Sequence, residues 1–189
     1  MKKSISLLVL LAIAATGVFA QESSPMKFSF GGGVYFDVGA PMWENSEGAV
    51  IGFGGFGFFD LTYAEVDVGV GYYRLTDAEI YGADLKLGLL LKYPIDLGSF
   101  TIFPAAGVKF TIPLSQSYDG NSIPWFETKD HVHFGLQAGV GFDIPLGRSL
   151  FLRPTALFDV NFLAPGEDPF DDTLYTIGPT VKVGLGYKF

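Results

Sequence analysis

The chain contains two histidines, His131 and His133, spaced so that on an extended strand both side chains lie on one face. Such a pair has two chemistries open to it. It can supply part of a divalent-metal site, or the base of a Ser/His hydrolase with Ser115, Ser117 or Asp130 nearby in sequence. Two nitrogen ligands are too few for a metal, and no cysteine exists to complete the set. None of the three candidate partners sits in a catalytic motif, so the pair reads as polar residues at a strand end. No catalytic residue, metal site or cofactor is assigned, and no enzyme activity is expected. The run G-E-D-P-F-D-D over 166–172 packs four carboxylates into seven residues. Hard cations take oxygen ligands of this kind, but the EF-hand spacing is missing. A solvated, self-repelling loop is the simpler reading.

A third group of charges is distributed differently. Glu65, Asp67, Asp84, Lys86, Lys109, Asp143, Arg153, Asp159 and Lys182 each sit at alternate positions between apolar neighbours. Asp37 does the same. Period 2 is the mark of a strand with one apolar and one polar side, so these residues share the polar side of a sheet. Mixed signs at such positions predict an interior network of ion pairs, since buried charges persist only when paired and hydrogen-bonded.

The elements that must position them are eight alternating segments, at about 27–38, 48–59, 63–74, 81–93, 99–112, 131–144, 150–162 and 175–189. The last reads Y-T-I-G-P-T-V-K-V-G-L-G-Y-K-F. Its Tyr175, Ile177, Pro179, Val181, Val183, Leu185, Tyr187 and Phe189 share one face, and Thr180, Lys182, Gly184 and Gly186 lie on the other. The segment at 131–144 alternates as cleanly, with Phe134, Leu136, Ala138, Val140, Phe142 and Ile144 opposite His133, Gln137 and Asp143. The segment at 48–59 does not. Ile51 and Phe53 share one face, Phe56 and Phe58 the other, and Gly54-Gly55 between them is the natural place for a bulge that resets the phase. Pro104 is an awkward occupant of a closed ladder, because it withholds a donor.

Ordinary strands run about 5–6 residues, whereas a strand that crosses hydrocarbon needs about 9–11. Connectors at 60–62, 94–98 and 145–149 are short, while those at 39–47, 75–80, 113–130 and 163–174 are longer. Strict short–long alternation, with both chain ends on the short side, fits an up-and-down barrel with long loops on one rim. A soluble eight-stranded barrel shares the period, but puts its apolar side inward. The long connectors carry Glu44, Glu47, Asp77, Glu79, Asp119, Glu127, Asp130, Glu167, Asp168, Asp171 and Asp172 against Arg74 and Lys129. Trp43, Trp125 and Phe126 in them suit an interfacial aromatic belt or an adhesive patch, the belt being the simpler reading.

Residues 1–20 form a separate object. Lys2 and Lys3 precede an apolar stretch from Ile5 to Ala15, and Val18-Phe19-Ala20 supplies a small-residue cleavage site before Gln21. This is the pattern of a secretory signal peptide, which leaves 21–189 as one barrel domain. Its removal lowers Lys+Arg from 12 to 10 against 20 Asp+Glu, a formal charge of −10. Such a polyanion is a poor partner for nucleic acid. Without cysteine, neither a lipid attachment after the leader nor a disulfide is available.

Taken over the mature chain, the leader, the eight alternating segments and the aromatic ending resemble the small eight-stranded outer-membrane β-barrel proteins of the OmpA/OmpX type. That resemblance implies an all-β, eight-stranded antiparallel up-and-down transmembrane β-barrel in the bacterial outer membrane. The ending Leu185, Tyr187 and Phe189 resembles the assembly signal that such barrels present to the barrel assembly machinery. Outer-membrane lipid, that machinery and an extracellular ligand or surface partner are the expected partners. The family hosts several roles, so three remain open. These are a structural or surface-interaction protein with a filled lumen, a narrow channel for small solutes, and a lipid-modifying enzyme.

Overall fold

A computed structural model describes residues 28–41, 48–76, 80–118, 121–123, 132–163 and 175–189. The leader, His131, Trp43, Trp125, Phe126 and the acidic run 166–172 lie outside the described residues. Eight long strands build the wall. They are β1 (Ser29–Pro41), β2 (Val50–Asp60), β3 (Ala64–Leu75), β4 (Ile80–Lys92), β6 (Thr101–Tyr118), β8 (His133–Pro145), β9 (Leu150–Leu163) and β10 (Tyr175–Lys188). Two short pieces, β5 (Ile95–Asp96) and β7 (Asn121–Ile123), pair with the two ends of β6.

Each long strand pairs antiparallel with its sequence neighbour, β4 with β6 and β6 with β8 across the short pieces. The first and last strands pair with one another, from Ser29↔Lys188 to Pro41↔Thr176, so the sheet closes on itself. A closed ladder gives every long strand two hydrogen-bonded neighbours and abolishes the edge that would otherwise template aggregation. It is also the one β arrangement that hydrocarbon tolerates, since no water is present there to satisfy a free N–H or C=O.

The two faces separate as the alternation requires. On β3, Val66, Val68, Val70 and Tyr72 are exposed on the outer wall, while Glu65 and Asp67 are buried inside. On β10, Val181, Val183, Leu185 and Tyr187 face out, and Thr180 and Lys182 are buried. Val34 at 65% exposure and Phe53 at 56% are among the many large apolar side chains that the fold leaves uncovered. A water-soluble monomer rarely exposes so continuous an apolar surface. Rings cluster on this outer wall: Phe53 meets Tyr72 at 5.6 Å between centroids, and Phe110 meets Phe134 at 5.4 Å.

The structure corrects the expected phase reset in β2. Gly54 pairs with Tyr35 and Gly71, and Gly55 with Val34 and Val70, so both ladders run through the pair without a bulge. Alternation continues unbroken, which carries Phe56 and Phe58 into the barrel and leaves Phe53 and Phe59 outside. The register shift lies elsewhere, between β4 and β6. Ala83 pairs with Ser115 and Asp84 with Pro113, so Leu114 is the extra residue. A single extra residue leaves one backbone group unpaired, and here Ser115 Oγ accepts from the Ala83 N–H at 3.3 Å. β6 also runs six residues past the end expected for it, from 112 to Tyr118, which shortens the loop expected at 113–130. Pro104 faces outward and its carbonyl still accepts from the Tyr93 N–H at 3.0 Å.

The tight turns follow local chemistry. Asp96 Oδ1 accepts from the Gly98 N–H at 2.8 Å, and Gly98 sits at φ 85°, where glycine alone carries no steric cost. Asp60 Oδ1 accepts from the Thr62 N–H at 2.9 Å and holds Thr62 at φ 70°.

If the uncovered wall sits in hydrocarbon, charge on it is costly in a depth-dependent way. Val70→Arg, in the middle of β3, is expected to destabilise the barrel by about 2–4 kcal/mol, and Tyr93→Arg at the short-turn rim by roughly 0–1. Urea titrations of folding into lipid vesicles measure both, and equal costs at the two positions would contradict a spanning belt.

Candidate functional site

The lumen gathers all the charged residues that the alternation placed on the inner face. Arg153, 1% exposed on β9, reaches across to the opposite wall. Its Nη1 donates to Glu65 Oε2 at 2.5 Å and its Nη2 to Asp60 Oδ2 at 2.6 Å, while Nε and Nη2 hold both oxygens of Asp143 at 2.6 and 2.8 Å. Lys92 pairs with the same Asp60 and lies 3.8 Å from Glu65; Lys188 stands 3.5 Å from Asp143. Three carboxylates thus surround one guanidinium, with two ammonium groups balancing the excess. The planar fork of arginine suits this multiple engagement better than a lysine would.

Aromatic rings floor and wall the cluster. The guanidinium carbon lies 4.7 Å from the centroid of Phe58, 4.8 Å from Phe151 and 5.2 Å from Phe103. Cation–π contact of this kind gains most where water is excluded. Phe103, Phe151 and Leu90 are each 1% exposed. These rings fit because glycine stands opposite them: an added methyl at Gly186 would strike the Phe151 ring, at Gly141 the Phe103 ring, and at Gly31 the Phe58 ring. Gly54 and Gly71 make the same room for the Tyr35 hydroxyl, and Gly82 for Tyr73.

Above this layer, three lysine–aspartate pairs cross the centre. Lys182 Nζ lies 2.9 Å from Asp67 Oδ2, Lys109 pairs with Asp159, and Lys86 pairs with Asp37 and lies 3.6 Å from Asp84. Thr180 Oγ1 donates to Asp159 Oδ2 at 2.7 Å. Each of these three main pairs joins strands that share no backbone ladder: β10 with β3, β6 with β9, and β4 with β1. Hydrogen bonds hold neighbouring strands together, and charge ties strands that are not neighbours. Among these pairs lies a cavity of about 10 Å³, room for roughly one water molecule.

Toward the loop rim the packing loosens. Asp37, Tyr73, His133, Asn161 and Thr176 are only half-buried and line a polar cup, where Asn161 Nδ2 donates to Thr176 Oγ1 at 3.1 Å. Ser115 is engaged at the bulge with the Ala83 amide, while His131 and Asp130 lie outside the described residues. Among the described residues no cluster of three carboxylate or imidazole groups is arranged to hold a metal.

All nine residues expected in the lumen network are brought together. Asp60, Lys92 and Lys188 join them, as do the inward rings Phe56, Phe58, Phe103 and Phe151. Phase was the available signal: Phe58 falls two residues before Asp60, Phe151 two before Arg153 and Leu90 two before Lys92. Leu185, Tyr187 and Phe189 are exposed on the outer wall at the seam between β1 and β10. There Phe189 packs 5.5 Å from Phe30, and its N–H donates to the Phe28 carbonyl at 3.2 Å.

Removing Arg153 would leave Asp60, Glu65 and Asp143 facing one another in a dry layer. Arg153→Met is expected to cost about 3–5 kcal/mol, as breaking a buried pair does. Combining it with Asp143→Asn, which leaves Asp60 and Glu65 balanced by Lys92 and Lys188, should recover part of that loss. Chemical denaturation of the refolded barrels measures both, and a single variant as stable as the parent would show the hub to be dispensable.

No protein-family model and no curated protein matches the chain. Solved structures do. It is similar to Neisserial surface protein A (NspA), with a TM-score of 0.56 and 9% identity over 86% of this chain and 97% of that one. It is similar also to the outer membrane protein OprG from Pseudomonas aeruginosa, with a TM-score of 0.50 and 15% identity over 89% of this chain and 98% of that one. At such identities the likeness is one of architecture. Taken with the closed ladder, the apolar outer wall and the charged lumen, it gives this chain the fold of the small eight-stranded outer-membrane β-barrels, the OmpA/OmpX type.

Proposed function

We propose that the chain is a non-enzymatic structural or surface-interaction protein of the bacterial outer membrane. Its filled lumen serves as an anchor, and its acidic loops meet the environment. The observation that carries this reading is the Arg153 layer. A guanidinium bonded to three carboxylates and ringed by Phe58, Phe103 and Phe151 fills the short-turn half of the bore. A hydrated ion has no route through side chains packed to that degree, because an eight-stranded barrel is only wide enough for its own contents. The loop-side half supports an outward-looking role, since its residues are polar, half-buried and continuous with the strand ends that carry the long loops. NspA is described as a surface protein, and a similar placement suits the present chain. Its partners are then outer-membrane lipid, the assembly machinery that reads Leu185, Tyr187 and Phe189, and a surface ligand attracted by carboxylates.

Two arms test this. In planar bilayers the refolded protein should show no discrete current steps; reproducible openings abolished by Asp84→Ala or Arg153→Ala would establish the solute channel instead. On whole cells, binding of a fluorescent polylysine should weaken several-fold when Glu167, Asp168, Asp171 and Asp172 are changed to their amides, and should fade with added salt. Binding indifferent to both changes would remove the acidic loops from the account.

A further inference from the structure

The centre of the lumen contains polar atoms that the ion pairs leave unsatisfied. Gln137 and Asp159 are directly opposed on β8 and β9, both pointing inward, and each is 3% exposed. Gln137 Nε2 donates to the Val108 carbonyl at 3.2 Å, but its Oε1 has no partner. Asp159 Oδ2 is engaged by Lys109 and Thr180, but its Oδ1 has none. Both side chains line the cavity of about 10 Å³. Opposed residues of an antiparallel pair have Cβ atoms about 4.5–5.5 Å apart, so one small molecule can reach both orphaned oxygens. A buried acceptor left without a donor keeps its full desolvation penalty, which makes occupation favourable.

The lining decides the occupant. It includes Asp37, Asp67 and Asp159 against Lys86, Lys109 and Lys182, so no net charge recommends a cation or an anion. Two oxygen acceptors repel an anion, and the ammonium groups of Lys86, Lys109 and Lys182 in the same lining disfavour a further cation, so a neutral donor suits them best. The ammonium groups of Lys109 and Lys182 each carry three N–H donors, while the ion pairs described for each engage a single carboxylate. A species that donates twice and accepts as well fits both requirements. We infer that a single ordered water occupies this site, donating to Gln137 Oε1 and Asp159 Oδ1 and accepting from Lys109 or Lys182. It is an integral member of the central layer, tying β8 and β9 to the lysines on β6 and β10.

This inference rests on the filled-lumen reading, and a crystal structure of the detergent-solubilised barrel, soaked with and without rubidium, separates the two. One isolated solvent peak within hydrogen-bonding reach of both oxygens, without anomalous rubidium signal, is the expected result. Gln137→Leu should at least halve its occupancy, because one of its two acceptors is gone. A dry centre in a barrel that stays silent in bilayers would overturn the water site alone, as would rubidium bound there or a peak unchanged in Gln137→Leu. A file of solvent peaks running from rim to rim would overturn the filled lumen itself.

Discussion

Closure between β1 and β10 is the constraint from which the rest follows. In hydrocarbon a backbone amide finds no water, so an open edge is untenable, and the first strand must meet the last. Closing eight strands then fixes a bore of side-chain width. Whatever points inward is cut off from bulk water and must be satisfied by what points inward from elsewhere. Lys182 therefore meets Asp67, Lys86 meets Asp37, and Arg153 meets Asp60, Glu65 and Asp143. Width also explains Gly31, Gly54, Gly71, Gly82, Gly141 and Gly186, which stand where a ring from another strand comes to rest.

The charges contribute specificity more than net stability. A buried ion pair often does no better than a well-packed apolar pair of the same volume. Its value here lies in what it forbids. A one-residue slip in any ladder would turn a whole strand over, exposing Glu65 and Asp67 to lipid and burying Val66 and Val68 among carboxylates. Because Lys182–Asp67, Lys109–Asp159, Lys86–Asp37 and the Arg153 contacts to Asp60 and Glu65 connect strands with no shared ladder, they also fix how non-adjacent strands face one another, which the ladders alone leave loose. The aromatic floor of Phe58, Phe103 and Phe151 complements this by excluding the water that would weaken each pair.

Much of this was legible from period 2. It located eight strands, separated lipid face from lumen face, and placed all nine charged residues inside. It was less informative where both faces are apolar. In β2, Phe53 and Phe59 face out while Phe56 and Phe58 face in, so residue type no longer marks direction and only unbroken phase does. The glycine pair at 54 and 55 invites a bulge by composition, yet Gly54 is small because the Tyr35 hydroxyl lies against it, a tertiary reason invisible in the local stretch. The shift at Leu114 follows Pro113, a residue that strands admit at bulges but that reads as readily as a strand end. Asp60 resembled a turn residue, and it is one through Oδ1; its other oxygen belongs to the Arg153 hub. Short stretches announce one such role and conceal the other.

The packed Arg153 layer and the half-buried polar residues toward the other rim both depend on which way the faces point. The chain has no native cysteine, so single cysteines introduced from position 180 to 185 of β10 can each carry a nitroxide label in lipid vesicles. Relaxation by lipid-soluble oxygen and by a water-soluble nickel complex reports each label's surroundings. The account predicts that labels at Val181, Val183 and Leu185 meet oxygen, and that labels at Thr180, Lys182 and Gly184 are shielded from it. Equal oxygen accessibility along the strand, or labels at Val181, Val183 and Leu185 reached by nickel in place of oxygen, would contradict it.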